Sequence, residues 1–141
     1  MSNQPILVPL LIQVFLTLAV WLYLYARRLP EISSKGIDPQ ALADRAESHR
    51  LLPGSANASN NLKNLFELPV LFYLAVLLSM VLMIQDPVLV VLAWVFAVFR
   101  VIHSLIHCTY NTVMHRFIAY AISCLALILM WLRLASFILM H

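Results

Sequence analysis

The sequence predicts an all-α fold, a bundle of four membrane-spanning helices. Three observations predict it. Of 141 residues, 63% are hydrophobic and only 11% are charged, whereas soluble domains are about half apolar and a quarter charged. The mean hydropathy of +0.92 belongs with polytopic membrane proteins. The apolar residues also fall into four long runs, separated by one extended polar stretch and two short turns. A single domain accounts for the length, with spans at about 5–26, 60–84, 88–114 and 117–140 and a polar loop at about 27–59.

The first run carries no charge, begins with Pro5 and Pro9 where proline is tolerated, and ends in Tyr23 and Tyr25 at an interface. Arg27 and Arg28 stop it. They follow the apolar stretch instead of preceding it, which argues for a span and against a signal peptide. The polar loop holds Pro30, Gly36, Pro39, Pro53 and Gly54 and should break into short pieces. Residues 39–50 read as a short surface helix with Asp38 as its cap. The second run opens with Asn60, Asn61, Lys63, Asn64 and Glu67, and Pro69 is placed to kink it. Asp86 and Pro87 form a tight turn. The fourth run contains Arg133, close enough to an end to snorkel.

Basic residues set the expected orientation. Arg27, Arg28, Lys35, Arg45, Arg50 and Lys63 lie between spans one and two, and Arg116 lies between spans three and four. The Asp86 turn and the N-terminal tail have no Lys or Arg. The positive-inside rule puts both basic connections in the cytoplasm and both termini outside it, in a bacterial inner membrane or the endoplasmic reticulum. No basic tract suits nucleic acid. Cys108 and Cys124 lie in or beside apolar runs and suggest no disulfide framework.

The third run carries the chemistry. Arg100, His103, His107 and Asn111 follow helical spacing and share one face, with Tyr110 at its edge. Charge at the bilayer centre costs at least about 2.5–3.5 kcal/mol, so Arg100 and Glu67 should face inward and find partners. Asn60, Asn64 and Glu67 share a face of span two. Under the expected topology these groups and Arg116 converge on an inter-helix cleft open to the cytoplasm. A bland reading pairs the buried charges simply to hold the bundle together. A metal site at His103 and His107 lacks a third protein ligand other than Glu67, so no metal is expected.

Two motifs resemble the MAPEG family, the membrane-associated proteins in eicosanoid and glutathione metabolism. One is N-x-x-E followed shortly by proline, here Asn64, Glu67 and Pro69. The other is R-x-x-H-x-x-x-Y with a later arginine, here Arg100, His103, His107 and then Arg116. The resemblance covers nearly the whole chain. It implies a four-helix homotrimer in the bilayer, with glutathione as co-substrate bound between subunits near the cytosolic face. It implies a glutathione-dependent transferase or peroxidase acting on lipophilic electrophiles or hydroperoxides.

By the same resemblance Arg116 matches the catalytic arginine that stabilises the glutathione thiolate. Asn64 and Glu67 match residues holding the glutathione backbone. Arg27 or Arg28 matches an arginine for a glutathione carboxylate, and Arg100 and His103 match the third-helix polar pair. The sequence departs from the usual pattern in three places, one being that Pro69 follows Glu67 one residue sooner than in several members. Asn60 stands where active members usually have arginine, and His107 stands where they usually have tyrosine. One anion clamp and one phenol are thereby lost. The alternative is a non-catalytic protein of the same fold that binds lipid or a small molecule.

Overall fold

The computed structural model describes residues 4–140, and every regular element in it is helical. Helix α1 spans Leu7–Lys35, α2 spans Arg45–Leu51 and α3 spans Pro53–Leu65. Helix α4 spans Leu68–Val81, α5 spans Pro87–Cys108 and α6 spans Val113–Met140. Four segments are long and apolar enough to cross a membrane: α1, α3 and α4 together, α5, and α6. The chain is an integral multi-pass membrane protein.

The first helix does not stop at Arg27 and Arg28. It runs through them and through Pro30 to Lys35, then ends on Gly36. Gly36 takes φ 59, a left-handed conformation that glycine adopts without a Cβ penalty. The amides of Gly36 and Ile37 then close onto the Ser33 and Ile32 carbonyls, both at 3.3 Å. This overhanging end is held against the start of α3. Lys35 pairs with Glu31 at 2.9 Å and donates to the Leu51 carbonyl at 3.0 Å, and the Gly54 amide donates to Glu31 at 3.1 Å.

The expected surface helix at residues 39–50 is two pieces. Asp38 caps a single 3₁₀ turn at Pro39–Leu42, and Asp44 caps α2 through the Glu47 amide. The second span begins earlier than expected, at Pro53, and breaks at Phe66–Glu67. Pro69 explains the break: its ring crowds the carbonyl four residues back, and it brings no N–H to bond it. Glu67 leaves the helical region there, with φ −95° and ψ −98°.

Small residues bring the helices together, as expected where lipid is as apolar as the side chains. Ala75, Ala93, Ala97, Ala119, Ala126, Ser79 and Ser123 are buried at the crossings. Around them Phe72 stacks on Phe96 with centroids 4.4 Å apart, beside Leu89, Met130 and Leu134. This apolar core occupies one half of the bundle, between α4, α5 and α6. Helix α5 is the most buried span, 44% against 22–33% for the others, so it can carry polar groups away from lipid.

At the apolar end Asp86 caps α5 through the Val88 amide at 3.0 Å and receives Arg133 of α6 at 2.7 Å. Arg133 is therefore tied to a carboxylate and stacked over Phe137 at 5.0 Å, an arrangement that simple snorkelling did not anticipate.

Candidate functional site

Helix α5 presents the expected stripe to the interior. Arg100 is 0% exposed, and His103 and His107 are 3% exposed. The stripe ends there, because α5 ends at Cys108. Asn111 is not its next member but lies in the α5–α6 turn at φ 50. His115 and Arg116 already belong to the first turn of α6.

Arg100 faces inward, as burial of a charge demands, but not toward a carboxylate. Its Nη2 donates to the Asn64 backbone carbonyl at 3.2 Å, and the guanidinium lies 5.8 Å from the Tyr120 ring centre. Its Nε and Nη1 are buried without a hydrogen-bond partner among the described residues. Glu67, the acid expected beside it, is exposed at the helix break and pairs with Lys63 at 3.9 Å. The break at Pro69 explains the difference: the face shared by Asn60 and Asn64 ends before Glu67.

His103 Nδ1 lies 3.1 Å from the Arg116 backbone carbonyl. A carbonyl only accepts, so Nδ1 carries the proton and the neutral ring has its lone pair on Nε2. That Nε2 and the Nδ1 of His107 are buried without a partner among the described residues. The two rings meet edge-on at 5.7 Å. Among the described residues no group of three or more His, Cys, Asp or Glu side chains gathers as a metal would require.

Helix α3 contributes a ladder of asparagines. Asn61, fully buried, accepts from Ser104 at 3.2 Å and donates to the Cys108 sulfur at 3.4 Å. Asn57 accepts from Asn111 at 3.2 Å, and Asn111 in turn accepts from Arg116 Nη1 at 2.6 Å. Asn60 accepts from Arg45 of α2 at 3.2 Å. Asn64, His103, Val113, Arg116, Phe117 and Tyr120 then line a cleft of about 230 Å³. Of the residues singled out from sequence, Asn64, His103 and Arg116 meet in it. Arg100 lies beneath, joined through the Asn64 carbonyl, and His107 lies behind His103.

Arg27 and Arg28 do not reach this cleft within the chain. Arg27 lines a separate depression with Pro30, Glu31, Ser34 and Gly54. Arg28 and Arg45 both act on His49, whose pKa lies below the usual imidazole value, first through burial and then through these two cations. Sequence reasoning missed Asn57 and Tyr120, and it placed Asn111 on the α5 face instead of in the α5–α6 turn. The available signal was four asparagines in eight residues at the head of an apolar span, more polar amide than a helix in lipid carries without partners.

A family model describing the MAPEG family matches residues 6–136. The chain belongs to the MAPEG family. Membership includes glutathione transferases and peroxidases as well as non-catalytic proteins. Neither the search of curated proteins nor that of solved structures returned a match. In this MAPEG chain Arg116 shares a cleft with Asn64. At position 60 a guanidinium from α2, that of Arg45, reaches an asparagine.

Proposed function

We propose that this protein is a glutathione-dependent transferase or peroxidase, with Arg116 holding the glutathione sulfur as its thiolate. The observation that carries the reading is that Arg116 lines the same cleft as Asn64 and His103. A free thiol has a pKa near 8.5, so only a few per cent is thiolate at neutral pH. Lowering that pKa by two units takes about 2.7 kcal/mol. One guanidinium about 4 Å from the sulfur supplies on the order of 4 kcal/mol at an effective dielectric near 20. One arginine suffices, and arginine stays charged under burial.

The rest of the site is assigned on the same reading. Asn64 and Glu67 hold the peptide backbone of glutathione, Arg100 and His103 form the cleft floor, and His107 supports His103. Arg45 supplies, through Asn60, the cation that position 60 lacks. A cleft of about 230 Å³ is smaller than the roughly 300–1,000 Å³ of ordinary ligand pockets. That size favours a site completed by a neighbouring copy, as in a homotrimer, with Arg27 or Arg28 reaching a glutathione carboxylate across the subunit boundary. The second substrate is lipophilic and arrives from the bilayer. Conjugate addition forms a carbon–sulfur bond as the electrophile's carbon–carbon π bond breaks, and its other carbon takes up the proton the thiol gave up. Hydroperoxide reduction yields an alcohol and water while two glutathiones become their disulfide.

The departures at Asn60 and His107 favour a second reading, a non-catalytic member that binds lipid or another small molecule. Titrating glutathione into the purified protein at neutral pH separates the two. The catalytic reading expects a saturable rise in thiolate ultraviolet absorbance, with Arg116→Ala returning the bound thiol to the few per cent ionised in water. A wild-type protein that binds no glutathione, or binds it only as the thiol, rules the enzyme out.

A further inference from the structure

We propose that Asn111 and Asn57 are positioning residues that aim the Arg116 guanidinium without neutralising it. The proposal rests on the glutathione reading above for its catalytic half and on geometry alone for its structural half. Three elements contribute one side chain each: Asn57 from α3, Asn111 from the α5–α6 turn and Arg116 from α6. Arginine only donates, so the Asn111 atom 2.6 Å from Arg116 Nη1 is the amide oxygen. The Asn111 amide nitrogen is then left to donate, and Asn57 Oδ1 receives it at 3.2 Å. Each bond fixes the direction of the next.

The backbone fixes the middle of this relay. Asn111 sits at φ 50, a left-handed conformation that asparagine tolerates better than other side chains with a Cβ. Its amide closes the end of α5 on the Ile106 carbonyl at 2.8 Å. On the other side, His103 donates to the Arg116 carbonyl at 3.1 Å, so the backbone of Arg116 is pinned as well as its side chain.

The choice of an amide matters chemically. A neutral oxygen takes up one N–H and leaves the full positive charge and the remaining N–H groups to an incoming anion. A carboxylate in the same place would hold the guanidinium as firmly but cancel its field at a nearby sulfur. An aimed guanidinium also loses less side-chain freedom when an anion arrives.

Four proteins test this: wild type, Asn111→Gly, Asn111→Asp and Asn57→Ala. Glycine keeps the left-handed backbone and removes only the amide. Ligand-free, in detergent, the side-chain nitrogen resonances of Arg116 report rotation of its guanidinium. That rotation should quicken in Asn111→Gly and Asn57→Ala. With glutathione, Asn111→Asp should move the pH midpoint of the bound thiolate up by at least one unit, a tenfold fall in the ratio of thiolate to thiol. Asn111→Gly should weaken binding severalfold with a smaller midpoint shift. A purely structural role would lower thermal stability in both Asn111 variants without this opposite ordering of midpoint and affinity. Unchanged Arg116 resonances in Asn111→Gly overturn the proposal. Quickened rotation in a protein whose wild type forms no bound thiolate sinks the glutathione reading and the catalytic half with it, and leaves the positioning half standing.

Discussion

Arg100 is the residue whose burial is hardest to justify by stability alone. It is fully buried, yet among the described residues one 3.2 Å bond to a backbone carbonyl and one ring contact are its only direct polar partners. The ion pairs among the described residues all lie elsewhere. Removing an ion of this size from water costs several kcal/mol, and replacing a buried ion with an apolar residue of similar volume is often neutral or stabilising. Methionine matches the length and suits irregular gaps. Arg100→Met should therefore leave the thermal midpoint in detergent unchanged or raise it, while lowering glutathione affinity about tenfold, or roughly 1.4 kcal/mol. Thermal unfolding and a binding titration on the same preparation check both halves. A destabilisation of about 3 kcal/mol or more would mark Arg100 as a structural strut.

At the scale of helices, the junction of α4, α5 and α6 depends on Asp86. Burial raises its carboxyl pKa, but the Arg133 hydrogen bond and the Val88 amide outweigh that and hold it below the usual carboxylate value. A folded pKa below the unfolded one contributes stability above the unfolded value, near pH 4, and loses it as pH falls through the folded value. An asparagine at this position would still cap the helix, since asparagine and aspartate cap about equally well. Asp86→Asn should thus cost only the ion pair, about 1 kcal/mol with Arg133 half exposed. Asp86→Ala should cost about 1 kcal/mol more for the lost cap. Thermal unfolding from neutral to acid pH should show the Asp86→Asn deficit shrink below the ordinary carboxylate value near pH 4 and vanish once the folded Asp86 carboxyl is protonated. These long-range ties also mark the limit of what the sequence discloses. Span count and the inward face of Arg100, His103 and His107 were legible, because hydropathy and helical period act locally. The partners of those residues were not. Asp86 and Arg133 are 47 positions apart, as are Asn61 and Cys108. Pairing at that distance depends on which helices touch. Glu67 was misread because Pro69 resets the helical phase, and α1 was drawn too short because two arginines look like a membrane edge. A helix can continue past that edge wherever another element, here the head of α3, receives it.

Across the whole molecule, polarity is divided between two ends. Arg27, Arg28, Lys35, Arg45, Arg50, Lys63 and Arg116 all belong to the end that holds the cleft. The opposite end has Arg133, and its charge is offset by Asp86. The count of Lys and Arg carries the asymmetry, since short basic connections are retained on the cytoplasmic side during insertion. The cleft, with Asn64 and Arg116, should open to the cytoplasm, where a water-soluble anionic thiol is available, while both termini lie across the membrane. Single cysteines test this in a chain carrying Cys108→Ser and Cys124→Ser. Gln85→Cys sits in the exposed α4–α5 turn, and Ala43→Cys sits exposed between the 3₁₀ turn and α2. A membrane-impermeant maleimide should label Gln85→Cys in intact cells or sealed vesicles of native orientation, and Ala43→Cys only after permeabilisation. Reversed labelling would put the cleft outside the cytoplasm, facing the wrong pool of substrate. Adding lysines beside Gln85 should weaken the bias, giving a mixed population in which both cysteines are partly labelled before permeabilisation.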